Sequence, residues 1–181
     1  SSMSASWALV AGATGYTLAA SLAATNPPVA VITSSEVAGV GTLAASVFAL
    51  APNTTHYLFI RANGAGASGP YAVYTASATD PVAPLAAATP FPAVWVTSAT
   101  VAWQQGANPV GVTTYTVTFS TLAFPNTAAG NLTVSTLPTA AVPALERAGL
   151  LPNTTYFVFV AALSHAGTSF GAPVGSTAPL P

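Results

Sequence analysis

Few side chains in this sequence could carry out acid–base, nucleophilic or metal chemistry. The candidates are two histidines and three carboxylates: His56, His165, Glu36, Asp80 and Glu146. They are scattered, whereas metal sites draw on His, Asp or Glu residues clustered at short spacings. Cysteine is absent, so no thiolate nucleophile or disulfide can form. The sequence therefore predicts no catalytic residue, no metal and no cofactor, and an enzyme is the least favoured class of function.

The charge composition removes two further classes of partner. Charged residues make up only 3% of the chain, and the formal net charge is −1. Arg61 and Arg147 are the only strongly basic residues, so no basic surface exists for nucleic acid or an anionic membrane. No stretch of about 18 consecutive apolar residues occurs, which predicts that no transmembrane helix is present. A surface with so little charge indicates that partners or covalent glycans cover part of it.

Asn53, Asn131 and Asn153 each begin an Asn-x-Thr sequence, the acceptor for N-linked glycans. Glycans at these positions would help to solvate the uncharged surface. A structural explanation is equally open for Asn53 and Asn153, because Asn and Thr are common in turns.

A longer motif occurs twice. Residues 50–60 read LAPNTTHYLFI and residues 150–160 read LLPNTTYFVFV, so Pro152 follows Pro52 by 152 − 52 = 100 residues. Trp103 follows Trp7 by 103 − 7 = 96 residues. A repeat with a period near 100 residues indicates two tandem domains of one kind.

Short alternating segments bounded by Gly, Pro and Asn predict an all-β chain. We expect a first domain at 1–79, a proline-containing linker at 80–90 and a second domain at 91–181. The predicted strands of the first domain are 3–9, 15–22, 29–34, 42–49, 55–63 and 70–78. Those of the second are 92–97, 98–104, 112–121, 131–136, 139–146, 154–164 and 170–177.

Alternation along the repeated strand separates an inner face from an outer face. One set of side chains must fill the core with the tryptophans. The other set would place Tyr57 and Phe59, and likewise Phe157 and Phe159, on the outside of a sheet. Aromatic pairs repeated in both domains predict a contact surface, to which we add Trp95.

The motifs resemble those of fibronectin type III domains over nearly the whole chain. In the first unit the resemblance rests on Trp7, residues 12–18 (GATGYTL), the Leu50-x-Pro52-x-Thr54 turn and residues 62–66 (ANGAG). In the second it rests on Trp103, Tyr115, residues 151–156 (LPNTTY), Ala162 and Gly167. The resemblance implies two immunoglobulin-like β-sandwiches. It also implies a structural corner in which the hydroxyl of Tyr156 satisfies a nearby backbone group, with His56 in that position in the first unit.

The first unit departs from this family at its beginning. In the second unit the strand predicted at 92–97 precedes the strand that contains Trp103, and the first unit has no counterpart. The resemblance therefore predicts that the first sandwich lacks its first strand and leaves a sheet edge open next to Ser2–Leu9.

An unprotected sheet edge invites another strand to pair with it. We therefore expect an extracellular, cell-surface structural protein that assembles with copies of itself, or with adjacent repeats of a longer chain, through strand complementation and apolar contacts. The alternative is an adhesin or a carbohydrate-binding spacer module of a larger secreted protein, which would present an aromatic platform to its ligand.

Overall fold

The computed structural model describes residues 1–39, 41–123 and 131–181, and every regular element in them is a β-strand. Contacts divide the chain into two compact units, Ser1–Asp80 and Pro81–Pro181. The prediction of an all-β, two-domain chain is confirmed. Within the described residues, no helix is long and apolar enough to cross a membrane.

Among residues 1–39 and 41–80, the first unit has six strands in two sheets. They are β1 (Met3–Ser6), β2 (Gly15–Ser21), β3 (Val31–Ala38), β4 (Ala44–Val47), β5 (Thr55–Asn63) and β6 (Ala72–Ala78). One sheet has only two strands, in the order β1-β4, and the other has four, in the order β3-β2-β5-β6. All pairings are antiparallel.

Among residues 81–123 and 131–181, the second unit has the remaining eight strands. They are β7 (Leu85–Ala86), β8 (Ala93–Val94), β9 (Ser98–Gln104), β10 (Tyr115–Ser120), β11 (Leu132–Thr136), β12 (Ala144–Ala148), β13 (Tyr156–Leu163) and β14 (Ser169–Thr177). One sheet has the order β12-β9-β7, with β8 also paired to β9, and the other has the order β11-β10-β13-β14.

Inward-facing residues of both sheets form one core in each unit. In the first core Leu18, Val47 and Leu58 are almost fully buried, and Trp7 packs against them from a half-buried position. In the second core Trp103 is fully buried and lies 5.7 Å from Tyr115 between ring centroids. Apolar burial of this kind supplies most of the driving force for folding.

Strands β1 to β6 correspond in order to β9 to β14. Strand β1 corresponds to β9 at an offset of 96 residues, because Trp7 matches Trp103. Strands β4 and β12 correspond at an offset of 100 residues. The register agrees with both offsets, since Met3 pairs with Val47 and Ala99 pairs with Arg147. Each residue of the first unit can therefore be compared with a specific residue of the second.

Three segments differ from the predicted strands. Leu85–Ala86, inside the expected 80–90 linker, pairs with Gln104 and Trp103 of β9. The strand predicted at 92–97 is reduced to Ala93–Val94. The strand predicted at 139–146 begins only at Ala144, directly after Pro143, since proline has no N–H to give to a ladder.

Candidate functional site

The outer edge of β1 distinguishes the first unit from the second. The N–H of Trp7 donates to the carbonyl of Leu43 at 2.9 Å, and the N–H of Leu50 donates to the carbonyl of Ser1 at 3.1 Å. Odd-numbered residues of β1 therefore direct their backbone groups toward β4. Because those directions alternate along a strand, the backbone groups of Ser2, Ser4 and Ser6 point the other way. In the part of the chain that the structure describes, no strand pairs with this side.

The same edge is covered in the second unit. Ala102, the counterpart of Ser6, donates its N–H to the carbonyl of Pro90 at 2.8 Å. The N–H of Ser6 instead reaches the hydroxyl of Tyr74, and this contact is long, at 3.4 Å. In the first unit a side chain thus lies where the second unit has the backbone of Pro90, in the segment between β7 and β8. This is the observation that identifies the site.

Tyr74 reaches this position because of a β-bulge. The pairing of β5 with β6 shifts between Leu58 and Phe59, which leaves Tyr74 as the extra residue of β6. The pairing of β13 with β14 shifts at the equivalent point and leaves Val174 extra. Val174 is 5% exposed in its core, whereas Tyr74 is 40% exposed. The bulge is common to both units, but only in the first does it offer a hydroxyl to the open edge.

An apolar cavity of about 330 Å³ lies at one end of the open edge, where β1 ends. Its walls include Trp7, Tyr16, Ile60, Pro70 and Ala72. A cavity of about 150 Å³ already accommodates benzene. The space beside Trp7 is therefore large enough for an aliphatic or aromatic side chain.

A second cavity, of about 430 Å³, lies at the other end of the edge. Its character is polar, since its walls include Ser2, Ser4, Thr75, Ser77 and Asp80. The two cavities and the Ser6–Tyr74 contact between them define a groove along β1 and β6. We call this the β1–β6 groove.

Residues 82–94 show what fills the equivalent space in the second unit. At one end, Asn108 holds the backbone of Val82: its Oδ1 accepts from the N–H at 2.9 Å and its Nδ2 donates to the carbonyl at 2.8 Å. Asn108 Nδ2 also donates to the hydroxyl of Tyr115 at 3.1 Å. Burial raises the pKa of Tyr115, and the hydrogen bond from Asn108 opposes part of that rise.

At the other end of this segment, Phe91 packs where β14 carries a glycine. A Cβ atom built on Gly175 would lie 3.1 Å from the Phe91 ring, which is closer than ordinary van der Waals contact. The counterpart of Gly175 in the first unit is Thr75, which pairs with Leu58 as Gly175 pairs with Val158. Space for an aromatic ring is therefore smaller in the β1–β6 groove than over β14.

The corner residues named from the sequence occupy equivalent turns but make different bonds. The hydroxyl of Tyr156 accepts from the N–H of Leu151 at 3.0 Å. His56 is fully buried, and its Nδ1 lies 2.9 Å from the carbonyl of Thr54. Its Nε2 is also buried and has no hydrogen-bond partner among the described residues. Desolvation lowers the pKa of His56, and the backbone bond to Thr54 counteracts it only in part.

The outer aromatic residues do not form the exposed surface that the sequence suggested. Phe59 is fully buried, and Tyr57, Phe157 and Phe159 are half-buried. Phe59 lies between Tyr57 and Arg61 on its own face, and the guanidinium of Arg61 stacks 4.8 Å from the ring centroid of Tyr71. Because it is fully buried, Phe59 is not available as a contact residue. Trp95, in the turn before β9, is 46% exposed.

The three glycosylation candidates differ in accessibility. Asn53 is 3% exposed and Asn131 is half-buried, whereas Asn153 is exposed. Both turn asparagines have positive φ angles, 45° for Asn53 and 51° for Asn153. Asn tolerates this left-handed conformation better than most residues. The turn geometry therefore accounts for asparagine at both positions.

The ionisable residues remain dispersed in three dimensions. Among residues 1–39, 41–123 and 131–181, no three His, Asp or Glu side chains come together in a way that could hold a metal ion. Glu146 accepts a hydrogen bond from the hydroxyl of Ser98 at 2.9 Å. Glu36, Asp80 and His165 are exposed to solvent.

Comparisons with known proteins agree with this architecture. No protein-family model matches the chain, and no curated protein sequence matches it. Among solved structures, a two-domain fibronectin type III segment of chicken tenascin is 18% identical, with a TM-score of 0.60. That match covers 98% of this chain and 91% of the tenascin segment.

The FN1–FN3 domains of chicken CNTN1 are also similar, at 16% identity and a TM-score of 0.46. Here the match covers 99% of this chain but only 62% of the three-domain structure. The match to the tenascin segment gives the chain the fold of two tandem fibronectin type III domains. Among the described residues of the first unit, none pairs with the outer edge of β1 as Leu85–Ala86 and Ala93–Val94 pair with β9.

Proposed function

We propose that this tandem fibronectin type III-like chain is a structural segment of an extracellular, cell-surface assembly. In that assembly a strand from a neighbouring copy completes the first unit at the β1–β6 groove. The observation that carries the proposal is the difference between Ser6 and Ala102. The N–H of Ala102 bonds to the backbone carbonyl of Pro90, and that of Ser6 bonds to the Tyr74 hydroxyl.

The energetics support strand addition at this edge. Ser2, Ser4 and Ser6 present backbone donors and acceptors in a row, which is the arrangement that an incoming strand needs. No charged side chain lies within β1 to repel such a strand. Each aliphatic side chain buried in the cavity beside Trp7 would add about 1.5–3 kcal/mol.

The composition supports an exported structural role. With 3% charged residues, the chain has far less charge than the roughly 25–35% that keeps an isolated domain in solution. A surface of this kind suits burial against other copies or coverage by glycans. Open edges on repeating subunits also allow head-to-tail growth.

Two proline variants on opposite edges of the same sheet test the proposal. Ser6→Pro removes an N–H that faces the groove, while Ser46→Pro removes one that faces away from β1 on β4. Neither change removes a β1–β4 hydrogen bond. We expect the wild-type chain and Ser46→Pro to form concentration-dependent oligomers in sedimentation velocity and electron microscopy, and Ser6→Pro to remain monomeric.

A wild-type chain that stays monomeric at high concentration would contradict this proposal. The alternative, an adhesion or spacer module of a secreted protein, has Trp95 in its favour as an exposed aromatic residue. It predicts a monomer that binds a glycan or protein ligand and loses that binding in Trp95→Ala.

A further inference from the structure

We infer that the β1–β6 groove is selective for one kind of strand: a segment that runs antiparallel to β1, carries an aliphatic side chain near its amino end and has a small residue opposite Thr75. This inference rests on the proposed function, because it names the chemistry of the strand that a neighbouring copy donates. It follows from four differences between equivalent positions of the two units.

The direction of the strand comes from the second unit. Leu85 pairs with Gln104, and further along Ala93 pairs with Thr100, so residues 85–94 run antiparallel to β9. At the offset of 96 residues, these partners correspond to Ala8 and Ser4 of the first unit. A strand in the β1–β6 groove therefore begins beside the apolar cavity and ends beside the polar one.

The amino end of the strand meets the apolar cavity. In the second unit the side chain of Val82 lies 3.5 Å from the position of a Cβ on Gly106, and Asn108 holds its backbone. Gly106 corresponds to Val10, which lines the cavity of the first unit together with Trp7. An aliphatic residue in the position of Val82 would fill this space and cover Trp7. At present Trp7 is half-buried, whereas its counterpart Trp103 is fully buried.

The middle of the strand must supply a carbonyl to the N–H of Ser6, as Pro90 does for Ala102. The Tyr74 hydroxyl holds that position at a distance of 3.4 Å, which is longer than a typical N–H···O bond of about 2.9–3.0 Å. Tyr74 is 40% exposed, so its ring has solvent beside it into which it can turn. We therefore expect the carbonyl of an incoming strand to displace the Tyr74 hydroxyl from the N–H of Ser6.

The carboxyl end of the strand decides selectivity. Phe91 fits over β14 because Gly175 has no side chain, and a Cβ there would already be 3.1 Å from the ring. Thr75 adds a branched side chain at the equivalent point of β6, within a cavity lined by Ser2, Ser4 and Ser77. A strand with phenylalanine at this position is thus a poor fit for the first unit, and one with serine, alanine or glycine fits well.

Peptides with the sequence of residues 82–94 provide the probe. One peptide keeps the natural sequence and the other carries Phe91→Ser. Binding to the full chain is followed by anisotropy of the labelled peptide and by the NMR shift of the Ser6 amide. We expect the Phe91→Ser peptide to bind about tenfold more tightly than the natural one, as relief of overpacking would give.

Variants of the chain isolate each step of the inference. Thr75→Gly should remove the tenfold preference, because it recreates the site of Gly175. Ser6→Pro should abolish binding of both peptides, whereas Ser46→Pro should leave binding unchanged. Tyr74→Phe should bind at least as tightly as the wild type. Equal binding of the two peptides to the wild-type chain, or loss of binding in Tyr74→Phe, would overturn the inference.

The outcome also separates this inference from the proposed function. If neither peptide binds, yet the chain assembles and Ser6→Pro prevents it, the edge is used by another strand, such as β1 of a second copy, and this inference is wrong. If the Phe91→Ser peptide binds as expected but the chain never oligomerises, the groove chemistry stands and the homopolymer is wrong.

Discussion

The hydroxyl of Tyr156 accepts a hydrogen bond from the N–H of Leu151 at 3.0 Å and so ties β13 to the turn that precedes it. The first unit has the same turn but places His56 in the position of Tyr156. There the imidazole bonds to the carbonyl of Thr54 instead. The two units therefore close the same corner with different chemistry, and the first two predictions follow from that difference.

Tyr156→Phe should destabilise the second unit by about 0.5–1.5 kcal/mol, the usual net contribution of one hydrogen bond. The ring stays in the core, so only the bond to Leu151 is lost. Hydrogen exchange of the β13 amides in the full chain measures this change. Tyr57→Phe, which alters a hydroxyl of the first unit, is the control and should leave β13 unchanged. An unaltered β13 in Tyr156→Phe would show that the bond contributes nothing.

The first unit should lose stability in mild acid because of His56. Burial lowers its pKa below 6.5, so the unfolded chain binds a proton more readily than the folded one. The stability associated with neutral His56 is complete above pH about 6.5. It decreases as the pH falls from there to the folded-state pKa.

His56→Tyr tests this origin. It replaces the titrating ring with the residue that occupies the same position in the second unit. We expect the pH dependence of β5 hydrogen exchange between about pH 7 and 5 to flatten. His165→Tyr, at an exposed position, should leave it unchanged. A wild-type chain with equal β5 protection across this range would refute the prediction.

Asn108→Ala should loosen residues 82–94 from the second unit. The Asn108 side chain makes bonds to both backbone groups of Val82 and to the Tyr115 hydroxyl. Their loss leaves buried polar groups unpaired, at a cost of about 1–3 kcal/mol. We expect faster hydrogen exchange at Val82 and at Ala102. Asn131→Ala, at a half-buried position in the same unit, is the control.

Asn153 should carry a glycan when the chain is expressed in a eukaryotic secretory pathway, and Asn53 should not. The two turns have the same sequence, but only Asn153 is exposed. Peptide mass spectrometry measures occupancy at each site, with Asn153→Gln as the control that should remove the shift in mass. Higher occupancy at Asn53 than at Asn153 would contradict the prediction.

Much of the fold could be predicted from the sequence because its signals are local. Alternating apolar residues and the repeated turn placed β2, β5, β9 and β13 within one or two residues of their observed ends. The unpaired outer edge of β1 could also be predicted, because a strand predicted at 92–97 precedes Trp103 and the residues before Trp7 offer no counterpart. These features need only spacing and periodicity.

The candidate site was harder to predict because it depends on non-local register. Nothing near Tyr74 in sequence indicates that a bulge directs it to Ser6, since the shift arises from pairing with β5. The burial of Phe59 likewise could not be predicted from alternation, which places this ring on the outer face of its sheet together with Tyr57. The short β7 ladder escaped prediction because two paired residues between prolines carry no periodic pattern.

Thr75 would give the molecule a means of discriminating between neighbouring chains. If the groove over the first unit rejects the phenylalanine that the second unit accepts, the two edges cannot exchange their covering strands. Subunits would then associate in a single orientation. A steric clash between the Thr75 side chain and an aromatic ring would exclude the strand that covers the second unit.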